Sequence, residues 1–245
     1  DVRQIGISSH AGQLAVANGS FAVDGSFGVG SFAQTGGAVA GTTGTLTVSG
    51  AASFTGGDQT GTGTTQFNGT LALSGNGSRS LSGGRSFNTA GATTWSGNTS
   101  AGGNDFNFSG SATVNNSGAW TDANAFDVAM GSGSFGTKVF NNAGSYTKSG
   151  TGVTDIFATF NNTGSVSVTA GRLSINGNVN GTSTGSFNIA SGAILSFGRN
   201  GSSGGLATMD GATFSGTGQL LIDASNSFGN DVRQIMTHLR THQCH

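Results

Sequence analysis

Few side chains in this sequence have the types and spacing that chemistry requires. His238, His242, Cys244 and His245 are zinc-ligand types, and His238 and His242 would share one helix face. The paired cysteines that should precede such a set are missing, so no metal site is assigned and a solvated tail is the competing reading. GGNDFNF at 102–108 has the Gly- and Asp-rich character of loops that hold calcium between successive chain turns, since a hard cation wants several oxygen ligands. It occurs once, and a lone copy lacks the second turn that completes the shell. Calcium is thus the one cofactor weighed, and none is assigned.

Acid–base work on a polysaccharide would need two or three carboxylates, or a carboxylate and a base, on neighbouring turns. Asp122 and Asp127 are the nearest pair inside one expected loop, and they are expected to be solvated loop acids. No catalytic residue and no enzyme activity follow. Thr62, Thr64, Thr65, Thr151 and Thr154 hold no common offset, which weighs against a flat ice-binding rank. Asn68 and Asn161 head Asn-x-Ser/Thr triplets, but a chain so rich in these residues produces them freely.

Composition restricts what could position such residues. The 245 residues include 46 Gly and 17 Phe, with no Pro and 8% charge. Disordered chains are rich in charge and poor in aromatic residues, the opposite of this balance. A soluble chain of this kind must coat itself with Ser, Thr and Asn and turn Phe, Val, Leu and Ile inward. Its nine Lys and Arg are scattered singly, so the clustered cations that neutralise phosphates are lacking and nucleic acid is not an expected partner. No run of about 20 apolar residues is present, so no membrane-spanning helix is expected. The sequence opens on Asp1 without a signal-peptide pattern, and it reads as a segment of a longer precursor whose export signal lies elsewhere.

One short pattern recurs: an apolar residue, Asn, and then Gly before an alternating run. Its apolar anchors are Phe67, Phe87, Val114, Phe140, Phe160, Phe187 and Phe214, separated by 20, 27, 26, 20, 27 and 27 residues. Asn follows at Asn68, Asn88, Asn115, Asn141, Asn161 and Asn188, and Gly at Gly91, Gly118, Gly144, Gly164 and Gly218. Alternating strands surround the anchors: TLTVS, TTQFN, LALSG, DFNFS, ATVNN, SVSVT, RLSIN, ILSFG and QLLID. Strands so short need neighbours on both sides to satisfy their backbone groups.

These observations predict an all-β chain wound as a right-handed parallel β-helix of about 20–27 residues per coil, with Phe stacked on Phe inside and Asn on Asn at a corner. Gly and Asn at the corners are expected to supply left-handed backbone. The longer coils should loop out their excess around Ser96 to Asp105 and Asp122 to Gly133. Residues 1–44 read as an irregular start or cap, 45–228 as the solenoid, and 229–245 as a tail. In that tail Val232, Ile235, Met236 and Leu239 fall at helical spacing and predict a short amphipathic helix. DVRQI occurs at 1–5 and again at 231–235, which suggests either one module of a tandem array or a joining artefact.

FNNAGSYTKSG and FNNTGSVSVTAGRLSINGN resemble the repeats of large exported bacterial β-solenoid proteins, the filamentous-haemagglutinin-like adhesins and autotransporter passenger domains. The resemblance covers residues 45 to 222. It implies export, an extracellular or cell-surface location, and a non-catalytic structural or adhesive role. Adjacent copies of the module and host or environmental glycans are the partners it implies. Two other readings stand beside it: a subunit stacking end to end into a fibre or sheath, and a carbohydrate-binding or carbohydrate-active β-helix.

Overall fold

Alternation with period two puts every second side chain of a strand on one side. In Thr45–Val48, Leu46 and Val48 are fully buried while Thr45 and Thr47 face outward, and Val139–Asn142 and Ser145–Lys148 repeat the pattern. Such strands persist because each pairs in parallel with its counterpart one turn away. Thr113–Asn116 lies between Ser86–Thr89 and Val139–Asn142, residue opposite residue. Repetition of this relation winds the chain into a parallel β-solenoid of about nine turns with about 22 residues each. At roughly 4.8 Å between strands the stack is on the order of 45 Å long. The computed structural model describes residues 1–133, 135–177, 181–198, 207–222 and 232–235, and no helix occurs among them.

Three faces enclose the lumen. The first runs from Thr45–Val48 through Thr64–Phe67, Ser86–Thr89, Thr113–Asn116 and Val139–Asn142 to Thr159–Asn162. The second runs from Ala52–Phe54 through Leu71–Ser74, Ala92–Ser96, Ala119–Asp122, Ser145–Lys148, Ser165–Val168 and Ser186–Ile189 to Thr213–Gly216. The third begins at Val2–Gln4 and ends at Gln219–Ile222. Inside, rings stack on rings: Phe140 and Phe160 lie 5.4 Å apart at 8°, and Trp120 and Tyr146 lie 6.4 Å apart at 12°. Full burial of each such side chain contributes about 2–3 kcal/mol.

Glycine marks seven successive corners leading into the second face, at Gly50, Gly69, Gly91, Gly118, Gly144, Gly164 and Gly185, while the next corner, before Thr213–Gly216, holds Gly211 with a φ of 74°. A Cβ added to Gly118, Gly144 or Gly164 would stand 2.1, 2.0 and 2.0 Å from the carbonyl oxygen of the corner glycine one turn below. None of the seven has a positive φ. The expectation of left-handed backbone is therefore corrected at these seven corners, which need glycine for space, but it holds at other turns, such as Gly37, Gly61 and Gly171 with φ of 60°, 82° and 63°. Gly218 lies at a different corner, ahead of Gln219–Ile222. The Asn residues after the anchors are likewise not left-handed: Asn88, Asn115, Asn141, Asn161 and Asn188 sit within strands, and Asn68 follows one directly.

The anchor series forms one rank only in its middle. Phe87, Val114, Phe140 and Phe160 are in register. Phe67 lies opposite Thr89, two residues further along, while Phe187 and Phe214 belong to the second face and stack above Val166. The cause is local: SFNI at 186–189 reads like the TFNN of the first face, and only pairing with Ser165–Val168 places it.

Other boundaries shift as well. Residues 1–44 wind into the same stack, with Ile7–Val16 paired to Ser26–Gln34 across a register shift between His10 and Gln13. The loop expected near 96–105 is present at 97–105, but that at 122–133 is not. Asp122 ends one strand, Val128–Met130 forms another, and the excursion follows, with 131–133 and 135–138 as its described residues. Val232–Ile235 is a strand paired with Ala207–Asp210, which satisfies its backbone by a parallel ladder where a helical turn was expected. Met236 and Leu239 lie outside the described residues. The two DVRQI copies contribute strands to different sheets, so their spacing is not a repeat of the stack.

Glycine's spatial role is open to test. Gly144→Ala should lower unfolding stability by about 3 kcal/mol or more, read by denaturant melts. At Gly28 a Cβ would meet only the Ser9 side chain at 3.6 Å, so Gly28→Ala should stay within about 1 kcal/mol of the wild type.

Candidate functional site

Two amide ladders climb the first face. The outer one is the expected ladder: Asn115, Asn141 and Asn161 each donate from Nδ2 to the Oδ1 of Asn88, Asn115 and Asn141 below, all at 2.8 Å. Asn68 and Asn188 stand apart from it. Asn68 is exposed and accepts from Gln66, and Asn188 on the second face donates to Ser215.

The inner ladder went unread in the sequence. Asn116, Asn142 and Asn162 are buried, and Nδ2 of the first two donates upward to the next Oδ1 at 2.7 and 2.8 Å. All three also donate to a backbone carbonyl of the second face, at Ser145, Ser165 and Ser186. The doublet Asn-Asn carries the signal, since adjacent strand residues face opposite ways and one of the two must point inward.

The lumen also holds charge. Arg79, Arg85, Asp122 and Lys148 are fully buried. Arg79 donates to the carbonyl and side-chain oxygens of Asn104, whose Nδ2 donates to Asn124 Oδ1 at 2.6 Å. Asn124 in turn donates to Asp122 Oδ1 at 3.0 Å. Tyr146 and Thr154 donate to the other carboxylate oxygen at 3.1 and 2.5 Å. A cation and an anion two turns apart are thus joined through two amides. A second chain joins Gln34, Gln59, Thr65 and Arg85.

Burial dominates the proton affinities inside. It lowers Arg79 and Arg85 to about 10 and lowers Lys148, where Asp122 and Asp127 partly offset it. Burial, with Asp122 adding to it, holds the Tyr146 hydroxyl well above its ordinary value. Desolvation raises Asp105, against the Ala129 N–H and Arg79.

The expected acids do not converge. Asp122 is in the lumen, a correction to its reading as a solvated acid, because four donors from Asn124, Tyr146 and Thr154 compensate its burial. Asp127 is exposed and accepts from the Val153 N–H at 2.8 Å. Three of the oxygens that GGNDFNF would offer calcium are engaged elsewhere: Asn104 Oδ1 by Arg79, Asp105 Oδ1 by the Ala129 N–H, and Asn107 Oδ1 by Ser132. His238, His242, Cys244 and His245 lie outside the described residues. Among the described residues no three His, Cys, Asp or Glu side chains group as metal ligands would. What the arrangement offers chemically is an outer surface of amides, hydroxyls and a few carboxylates over a largely hydrogen-bonded interior, in which Arg79 Nε, Arg85 Nε, Thr93 Oγ1 and Trp120 Nε1 remain without a partner.

In comparisons with known proteins the chain matches no family model, no curated protein and no solved structure.

Removing one inner amide strands buried partners on both sides. Asn142→Ala should cost about 2–3 kcal/mol, against about 1 kcal/mol or less for the half-buried Asn141→Ala, as measured by urea unfolding. Tyr146 sets a pH test. Its folded value lies above the ordinary 10.0, so its contribution is complete below pH 10 and is lost as pH rises beyond it. The stability difference between wild type and Tyr146→Phe should therefore hold up to about pH 10 and shrink above it in paired denaturant titrations.

Proposed function

We propose that this chain is a non-catalytic structural and adhesive module of a long, exported bacterial surface protein. One observation carries the reading: the corner glycines and both amide ladders keep register turn after turn. A motif that stacks on itself in this way can be wound to any length. A structural rod needs that property, whereas an enzyme needs convergence at one place. The repeat style of FNNAGSYTKSG and FNNTGSVSVTAG supports the same reading by its resemblance to exported solenoid adhesins. The outward ranks are consistent with display in water, since Thr94, Thr121, Thr147 and Ser167 succeed one another on the second face with no charged side chain among them.

Display of the chain on a non-adherent bacterium tests the proposal. Cells carrying the wild type should gain attachment to epithelial or polysaccharide-coated surfaces. Cells carrying Gly144→Ala at matched surface expression should lose it, since attachment depends on the folded rod. No gain in attachment, together with release of reducing ends from a polysaccharide by the purified chain, would overturn the reading in favour of a carbohydrate-active β-helix.

A further inference from the structure

All but two of the aromatic rings among the described residues are buried or half-buried. The exceptions are Phe126, 46% exposed, and Phe135, 90% exposed. Both belong to one turn, and they flank the same third-face strand, Val128–Met130, from its two ends. Phe135 is held where it is. Its φ of 63° lies in the left-handed region, which a bulky residue enters only at some cost, and its carbonyl accepts from the Gly110 N–H at 2.9 Å. Among the described residues, these two rings alone among Phe, Tyr and Trp stand in water.

The wall between the two rings suits a hydroxylated or cationic ligand. Ala129 is the outward residue of the strand and leaves the middle low. Asp105 and Asp127 border it, each with one oxygen committed to a backbone N–H of the next turn. Of the cations on this side, Arg79, Arg85 and Lys148 are buried, Lys138 donates to the Gly133 carbonyl, and the half-buried Arg172, two strands above Asp127, donates to Ser196 Oγ. Exposed aromatic faces attract both the C–H faces of sugar rings and ammonium groups, and carboxylates complement the latter.

We propose that this third-face wall docks an amino-sugar polymer bearing free ammonium groups, with sugar rings laid on Phe126 and Phe135 and an ammonium group meeting Asp127. The assignment deepens the adhesive role and rests on it, and the two can fail separately.

Calorimetric titration of the full chain with a glucosamine hexamer, and with the same hexamer fully N-acetylated, is the test. The free-amine hexamer should bind at least about tenfold more tightly than the acetylated one. Phe126→Ala and Phe135→Ala should each weaken it by about fivefold or more with circular dichroism unchanged, and Asp127→Asn should weaken it and flatten its salt dependence. Equal binding of both hexamers, no binding of either, or equally tight binding of hexalysine that ignores Phe135→Ala would each overturn the assignment. Hexamer binding lost while displayed cells still attach sinks the docking wall alone. Hexamer binding intact while displayed cells fail to attach sinks the adhesive role alone.

Discussion

The structure depends on the separation between one turn and the next. Strands paired in parallel sit about 4.8 Å apart, and at the corner joining the first and second faces the backbone itself fills that interval. The carbonyl oxygen of Gly118 stands where a Cβ of Gly144 would be, and that of Gly144 where a Cβ of Gly164 would be. Any other residue would push the turns apart, and with them the strands on either side of the corner. Ladder hydrogen bonds, ring stacking and amide ladders all presuppose this spacing. A backbone-to-backbone contact, which contributes little attraction of its own, is thus the condition under which the attractive terms act.

With the spacing set, the interior can tolerate groups that a compact core would reject. Burying a guanidinium or carboxylate costs several kcal/mol unless hydrogen bonds replace water. In a solenoid lumen, replacements come from fixed positions one turn above and below. Asp122 receives its donors from its own turn and the next, and Arg79 reaches Asn104 in the turn that follows. Nε is buried and unpartnered in both arginines, and Arg85 is the less well served, with only Thr65 and Thr60 accepting from its terminal nitrogens. These sites are specific rather than stabilising, since removing one partner exposes the others to the full cost of desolvation.

Much of the architecture could be read from alternation and punctuation. All nine strands recognised by pattern, from TLTVS to QLLID, are strands, and the parallel stack follows from their shortness. Register between faces was not legible, because SFNI and TFNN differ too little for pattern to tell which face each joins. The course of the first 44 residues was hidden for a related reason: GSF at Gly19, Gly25 and Gly30 has a spacing too short for a coil, and the long strands Ile7–Val16 and Ser26–Gln34 turn the corner without a break. Arg79, Arg85 and Lys148 were unreadable as lumenal residues, since charge ordinarily means surface. Asn116, Asn142 and Asn162 could have been found, because a doublet on a strand must put one member inside.

Charge is sorted in an unusual direction, and this bears on what the surface can do. Three of the cations among the described residues are enclosed, while Asp58, Asp127 and Asp155 remain on or near the third face, where Arg3 and Arg172 are the cations left outside. Composition alone, with a net charge of −1, would present this chain as electrically neutral. Enclosure changes that, because a charge inside the lumen is tied into hydrogen bonds there and is met by a ligand only at a distance, whereas an exposed carboxylate meets it directly. The first and second faces offer partners hydroxyls and amides, and the third offers carboxylates beside two exposed rings. A rod built from one repeated turn thereby acquires sides that differ, and the difference comes from which residues the turn leaves outside.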